Sequence, residues 1–82
     1  MSIAEEIVSR IEKDIAIFSI NIKRARDTEL SRAERRIVDL SEMYAQDSKA
    51  WLDKGDYYTS FSSIAYAHGL LDSILKLKNI IE

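Results

Sequence analysis

His68 and Asp72 stand one helical turn apart in the stretch YAHGLLDS, residues 66–73. A carboxylate within reach of an imidazole orients the ring, which is half of a general-base arrangement. Positions i and i+4 of a helix face each other, so the spacing allows the pair. His68 is the only histidine, and the chain contains no cysteine. Any nucleophile would therefore have to be a hydroxyl. Ser62 and Ser63 are close in sequence, but at about 100° per residue they fall well off the His68 side of a helix. The same step places His68 within about 60° of the centre of that helix's apolar stripe. The pair thus reads as structural: a histidine hydrogen-bonded across helices, pinned by Asp72 or by a group on a neighbouring helix. No catalytic residue is assigned.

Metal chemistry finds little support. With one histidine and no cysteine, only carboxylates remain as ligands, and neither a D-x-D-x-D-G loop nor an H-E-x-x-H pair occurs. The stretch DKGD at Asp53 to Asp56 is a capping turn. No metal ligand, no cofactor and no small-molecule substrate is expected. The absence of cysteine also excludes disulfide staples and thiolate chemistry.

The elements that carry these residues are helices. There is no proline to break one, and the punctuation falls at RDTELSR and KGDY. Three segments result, about 3–26, 31–53 and 56–80. In the first, Val8, Ile11, Ile15, Phe18, Ile22 and Ala25 recur at steps of three and four, the signature of one buried helical face. In the second the stripe reads Ala33, Ile37, Leu40, Tyr44, Ser48 and Trp51, behind an S-x-x-E capping box at Ser31 and Glu34. Gly55 suits the left-handed position that ends a helix, and Asp56 is a good N-cap for the next. The third stripe includes Tyr57, Phe61, Ile64, His68, Leu71 and Leu75. Gly69 costs a helix roughly 1 kcal/mol relative to alanine, so close approach of another backbone is expected there.

Three amphipathic helices with short connections predict a single all-α domain over 1–82, a three-helix up-and-down bundle without a sheet. The N-terminus MSIAEEIVSR lacks the charge and apolar run of a signal peptide, and no apolar stretch approaches the ~20 residues that span a bilayer. The expectation is a cytoplasmic protein with no membrane contact.

Six of the twelve basic residues, Lys23, Arg24, Arg26, Arg32, Arg35 and Arg36, gather where the first helix ends and the second begins. Cations complement the macrodipole at a helix C-terminus, but not at a helix start, where Arg32, Arg35 and Arg36 lie. Arg24, Arg26, Arg32, Arg35 and Arg36 could contact phosphates. Acids are interleaved, however, and no aromatic side chains are interspersed to stack bases. A net charge of −2 also weighs against a dedicated nucleic-acid binder.

Tyr66, Leu70 and Leu77 point roughly opposite to the core line of the third helix, and Ile17 and Ile20 do the same on the first. A three-helix bundle has no second core to receive them. Outward-facing apolar sets of this kind mark an interface, with a protein partner or with a homo-oligomer.

From Ala50 to Ile74 the chain resembles an archaeal family known as domain of unknown function 357. The resemblance is carried by the turn Leu52, Lys54, Gly55, Asp56, Tyr57, by Phe61, and by Ile64 with the run Tyr66, Ala67, His68, Gly69, Leu70, Leu71, Asp72. Over the first two helices only length and helical pattern agree. The family implies a small cytoplasmic bundle of spectrin-repeat-like topology and supplies no catalytic residue or cofactor. Taken together, the expected function is a non-enzymatic interaction or self-association module, with a nucleic-acid accessory role through the basic pole as the alternative.

Overall fold

In a computed structural model, residues 2–80 are described. They form three helices, α1 (Ile3–Arg26), α2 (Arg32–Asp53) and α3 (Tyr57–Leu77), running up, down and up, with no strand among the described residues.

Each helix start is set by a side-chain cap. Ser2 accepts the Glu5 N–H at 3.1 Å. Ser31 accepts the Glu34 N–H at 3.1 Å while its own N–H donates to Glu34 Oε1 at 2.8 Å, completing the capping box. Asp56 accepts the Thr59 N–H at 3.0 Å on one oxygen and the Thr59 hydroxyl at 2.8 Å on the other. The helix ends are equally specific. Gly55, at φ +81°, donates to Leu52 O while Asp56 N–H donates to Trp51 O, the pair of bonds that closes a Schellman motif. Asn79 repeats this at the end of α3 with φ +58°, and Ile80 N–H donates to Leu75 O. The left-handed Asn79 is why α3 stops at Leu77 rather than continuing to Ile80.

The core of α1 follows its apolar spacing: Ile11, Phe18, Ile22 and Ala25 are buried, with Val8 and Ile15 half-buried beside them. α3 buries Ser60, Ile64, Ala67, Leu71, Ile74 and Leu75. α2 departs from its expected stripe by one step. The residues it buries are Val38, Ser41, Ala45 and Ser48, whereas Ala33, Leu40 and Trp51 are exposed and Ile37 and Tyr44 half-buried. The reason is the close packing of α2 on α3. Ser48 Oγ donates to Ser60 O at 2.8 Å, and Ser60 Oγ donates to Ser48 O at 2.7 Å. Ser41 Oγ is satisfied by Val38 O at 2.6 Å. Small side chains let the two backbones approach, and each buried hydroxyl finds an acceptor, so none carries the cost of an unmade bond.

Gly69 does not fulfil its expected role. A Cβ added there meets nothing within 4 Å, so among the described residues no backbone approaches it closely enough to require glycine at that point.

Candidate interaction surfaces

His68 lies between α1 and α3. Its Nε2–H donates to the main-chain carbonyl of Asp14 at 2.7 Å. Its ring meets Phe18 edge-on, with centroids 5.7 Å apart at 88°. The anchor expected for His68 is thus a group on α1; Asp72 is half-buried on the same side of α3. Arg10 flanks this seam, bonded to Asp14 at 3.3 Å and placed over the Phe61 ring at 6.0 Å. The arrangement docks α1 on α3. Among the described residues the imidazole bonds only Asp14 O, and no bond joins it to Ser62 or Ser63.

Tyr66 is two residues from His68, hence about 160° away around α3. It faces away from α1 and meets Tyr44 of α2 edge-on, with centroids 4.6 Å apart. On α2 the same logic holds: Asp39 and Glu42 face α1, where both receive Arg26, so the flank carrying Leu40 and Tyr44 looks the other way. One outer face therefore spans α2 and α3 on the side opposite α1. Its large apolar side chains are Leu40 (38% exposed), Met43 (60%), Trp51 (37%), Tyr66 (51%) and Leu77 (72%). Leu70, Ile37 and Tyr44 are half-buried within it. Lys54 lies over the Trp51 ring at 4.9 Å. Apart from Ser48, which is buried as the α2 stripe predicts, the residues read from sequence as a core stripe of α2 and those read as a second stripe of α3 belong to this one surface.

Of the five apolar residues expected to share an interface, the structure brings together Tyr66, Leu70 and Leu77. Ile17 and Ile20 are exposed on α1 and do not join that face.

Sequence reasoning missed a cleft of about 370 Å³ between α1 and α2, the helices that touch least. Ile15, Phe18, Ile22 and Ala45 floor it, and Lys23 and Lys49 stand at its rim. The spacing between two helices has no signature in either one's periodicity, so no sequence signal could have found it.

The basic pole is partly consumed by the fold. Arg26 bonds Asp39 at 3.0 Å and Glu42 at 3.2 Å, and Arg24 donates to Ile80 O at 3.1 Å. Lys78 donates to Glu29 O and reaches Glu34 at 3.4 Å. Arg32, Arg35 and Arg36 are exposed and carry no ion pair among the described residues. Two carboxyls sit below the ordinary carboxylate range. Glu34 is lowered chiefly by the Ser31 N–H, with Lys78 adding to it, and Asp56 by the Thr59 N–H and hydroxyl.

Among the described residues no group of three histidine, cysteine, aspartate or glutamate side chains could hold a metal ion. No described helix is long and apolar enough to cross a membrane.

A small three-helix bundle with a short capped turn between its second and third helices is the class these features define. A family described as "Protein of unknown function (DUF357)" matches residues 9–80, and the chain belongs to that family. The match takes in α2 and α3 whole and most of α1. A comparison with curated proteins finds no match.

Proposed function

We propose that the protein is a non-catalytic interaction module that docks on a protein surface through the outer face of α2 and α3. The observation that supports this reading is that five large apolar side chains of α2 and α3, Leu40, Met43, Trp51, Tyr66 and Leu77, keep 37–72% of their surface exposed. A bundle of this size needs only one buried side per helix, and an apolar patch two helices wide is the surface that a partner desolvates. The anchoring of His68 to a main-chain carbonyl and its edge contact with Phe18 agree with a packing role for that residue. Nucleic-acid contact is the weaker reading, because Arg24 and Arg26 are already bonded within the chain.

The test is site-specific photocrosslinking in source cells. A benzophenone amino acid replaces Tyr66 on the outer face or, as control, Ala16 on the exposed side of α1. Protein adducts from position 66 and none from position 16 are expected. No protein adduct from position 66 would overturn the reading, and adducts to nucleic acid would put the basic pole in its place.

A further inference from the structure

The outer side of α2 reads the same in both directions once charges are exchanged. Ala33, Arg36, Leu40, Met43, Asp47 and Ala50 follow at steps of three, four, three, four and three, and all six are exposed. From the middle outward the sequence is Leu, Arg, Ala one way and Met, Asp, Ala the other. Arg36 and Asp47 carry no ion pair or side-chain hydrogen bond among the described residues. Eleven residues apart on one helix, they are separated by about 16 Å and cannot pair within a chain. We infer that the occupant of this face is a second copy of the chain, packed antiparallel about a two-fold axis that passes between Leu40 and Met43. This rests on the interaction reading above and names its partner.

The axis sets Ala33 against Ala50 of the second copy, Arg36 against Asp47 and Leu40 against Met43, each pair occurring twice by symmetry. The small alanines let the helices converge at both ends, and the two arginine–aspartate pairs fix direction, since a parallel arrangement sets like charges side by side. α3 gives independent support. The Tyr44–Tyr66 contact and the Ser48–Ser60 bonds place the level of residues 41–42 beside residue 68. The same axis, carried across to α3, sets Tyr66 against Leu70 of the second copy and Thr59 against Leu77. Two helices thus satisfy one symmetry operation. The area is sufficient as well. The Cα trace extends 42 Å along its longest axis, which accommodates the length of the stripe. A patch about 30 Å long and two helices wide projects on the order of 600 Å². Side-chain relief raises the accessible area above its projection, toward the roughly 800 Å² per partner of a stable interface.

The experiment is sedimentation equilibrium of the full chain over a wide concentration range, with Arg36→Asp and Asp47→Arg measured singly, mixed one to one, and combined in one chain. The wild type is expected to dimerise. Each single variant places two like-charge pairs in the interface and weakens association by roughly tenfold or more. The equimolar mixture restores opposite pairs as a heterodimer, and the double variant restores them as a homodimer. Both sites are exposed, and circular dichroism confirms that the fold is unchanged. A wild type that stays monomeric up to about 1 mM, or single variants that the mixture fails to rescue, would overturn the inference. If position 66 then crosslinks to a different protein, the interaction reading stands and only the second copy falls. If it crosslinks to none, both fall.

Discussion

The inner side of α2 meets α3 through Ser41, Ala45 and Ser48, while its outer side carries Leu40, Met43 and Trp51. A helix that only had to cover a core would distribute these residues the other way round. Small inner side chains bring two backbones together and let serine hydroxyls bridge them. The large outer side chains make no such demand on the fold, and their exposure costs solubility unless something covers them. If the outer side associates as proposed, stability and association lie on opposite sides of one helix, and substitutions on the two sides separate them.

The largest effect is expected from Ser48→Leu. It forces extra volume into the α2–α3 seam and removes the hydroxyl that donates to Ser60 O, so urea unfolding should show a loss of about 3 kcal/mol. A loss below about 1 kcal/mol would mean that the seam can open, and the contrast between the two sides would collapse. Gly69→Ala acts in the opposite direction. The new Cβ meets open space, so the chain should gain about 1 kcal/mol and melt roughly 4–8 °C higher. A destabilised variant would show that something outside this chain's own fold needs the glycine. His68→Ala removes one half-buried hydrogen bond and the edge contact to Phe18. A loss of about 1 kcal/mol is expected, with amide exchange rising first in α1, which the histidine holds to α3. Leu40→Ser on the outer side should change stability by less than about 0.5 kcal/mol at high dilution yet weaken association. A fall in stability as large as that of Ser48→Leu would make the outer face part of the core.

The smallest effect concerns pH. Glu34 and Asp56 both titrate below their ordinary range when folded. Their contribution is thus complete above the unfolded value, near pH 4, and is lost as pH falls through the folded value. Both are partly exposed caps at the starts of α2 and α3, and the Asp56 carbonyl also accepts the Ser60 N–H at 3.0 Å, one turn from the serine seam. Glu34→Gln should flatten the acid limb of a helicity titration, and an unchanged acid limb would show that the cap does not titrate with the fold.

Much of this architecture was legible in the sequence, but unevenly. α1 was read correctly because its large apolar residues repeat cleanly and lie where the core is. Ser31 with Glu34, and Gly55 with Asp56, announced their turns because the residue types needed for capping are few. α2 misled. Periodicity registers size and apolarity, and its strongest stripe is the outer one, whereas serines on the inner side look polar until a partner backbone is known. The grouping of the outward apolar residues was half legible for a related reason. Tyr66, Leu70 and Leu77 are off-core in any rotation of α3, but whether Ile17 and Ile20 share their face depends on how α1 leans, which no single helix encodes. Gly69 invited a packing explanation that the open space beside it removes.

The paired serines have one more consequence. Their bonds are uncharged, buried and directional, so they act as a ruler along α2 and α3. A slip of one helical turn would carry Ser48 from Ser60 to the aliphatic Ile64 and strand two hydroxyls in a dry seam. Axial alignment of the hairpin is thus measured at the Ser48–Ser60 level, about a turn inside its connection, and not at the connection itself. The Lys54–Gly55–Asp56 turn is free to grow or shrink over generations without sliding one helix past the other.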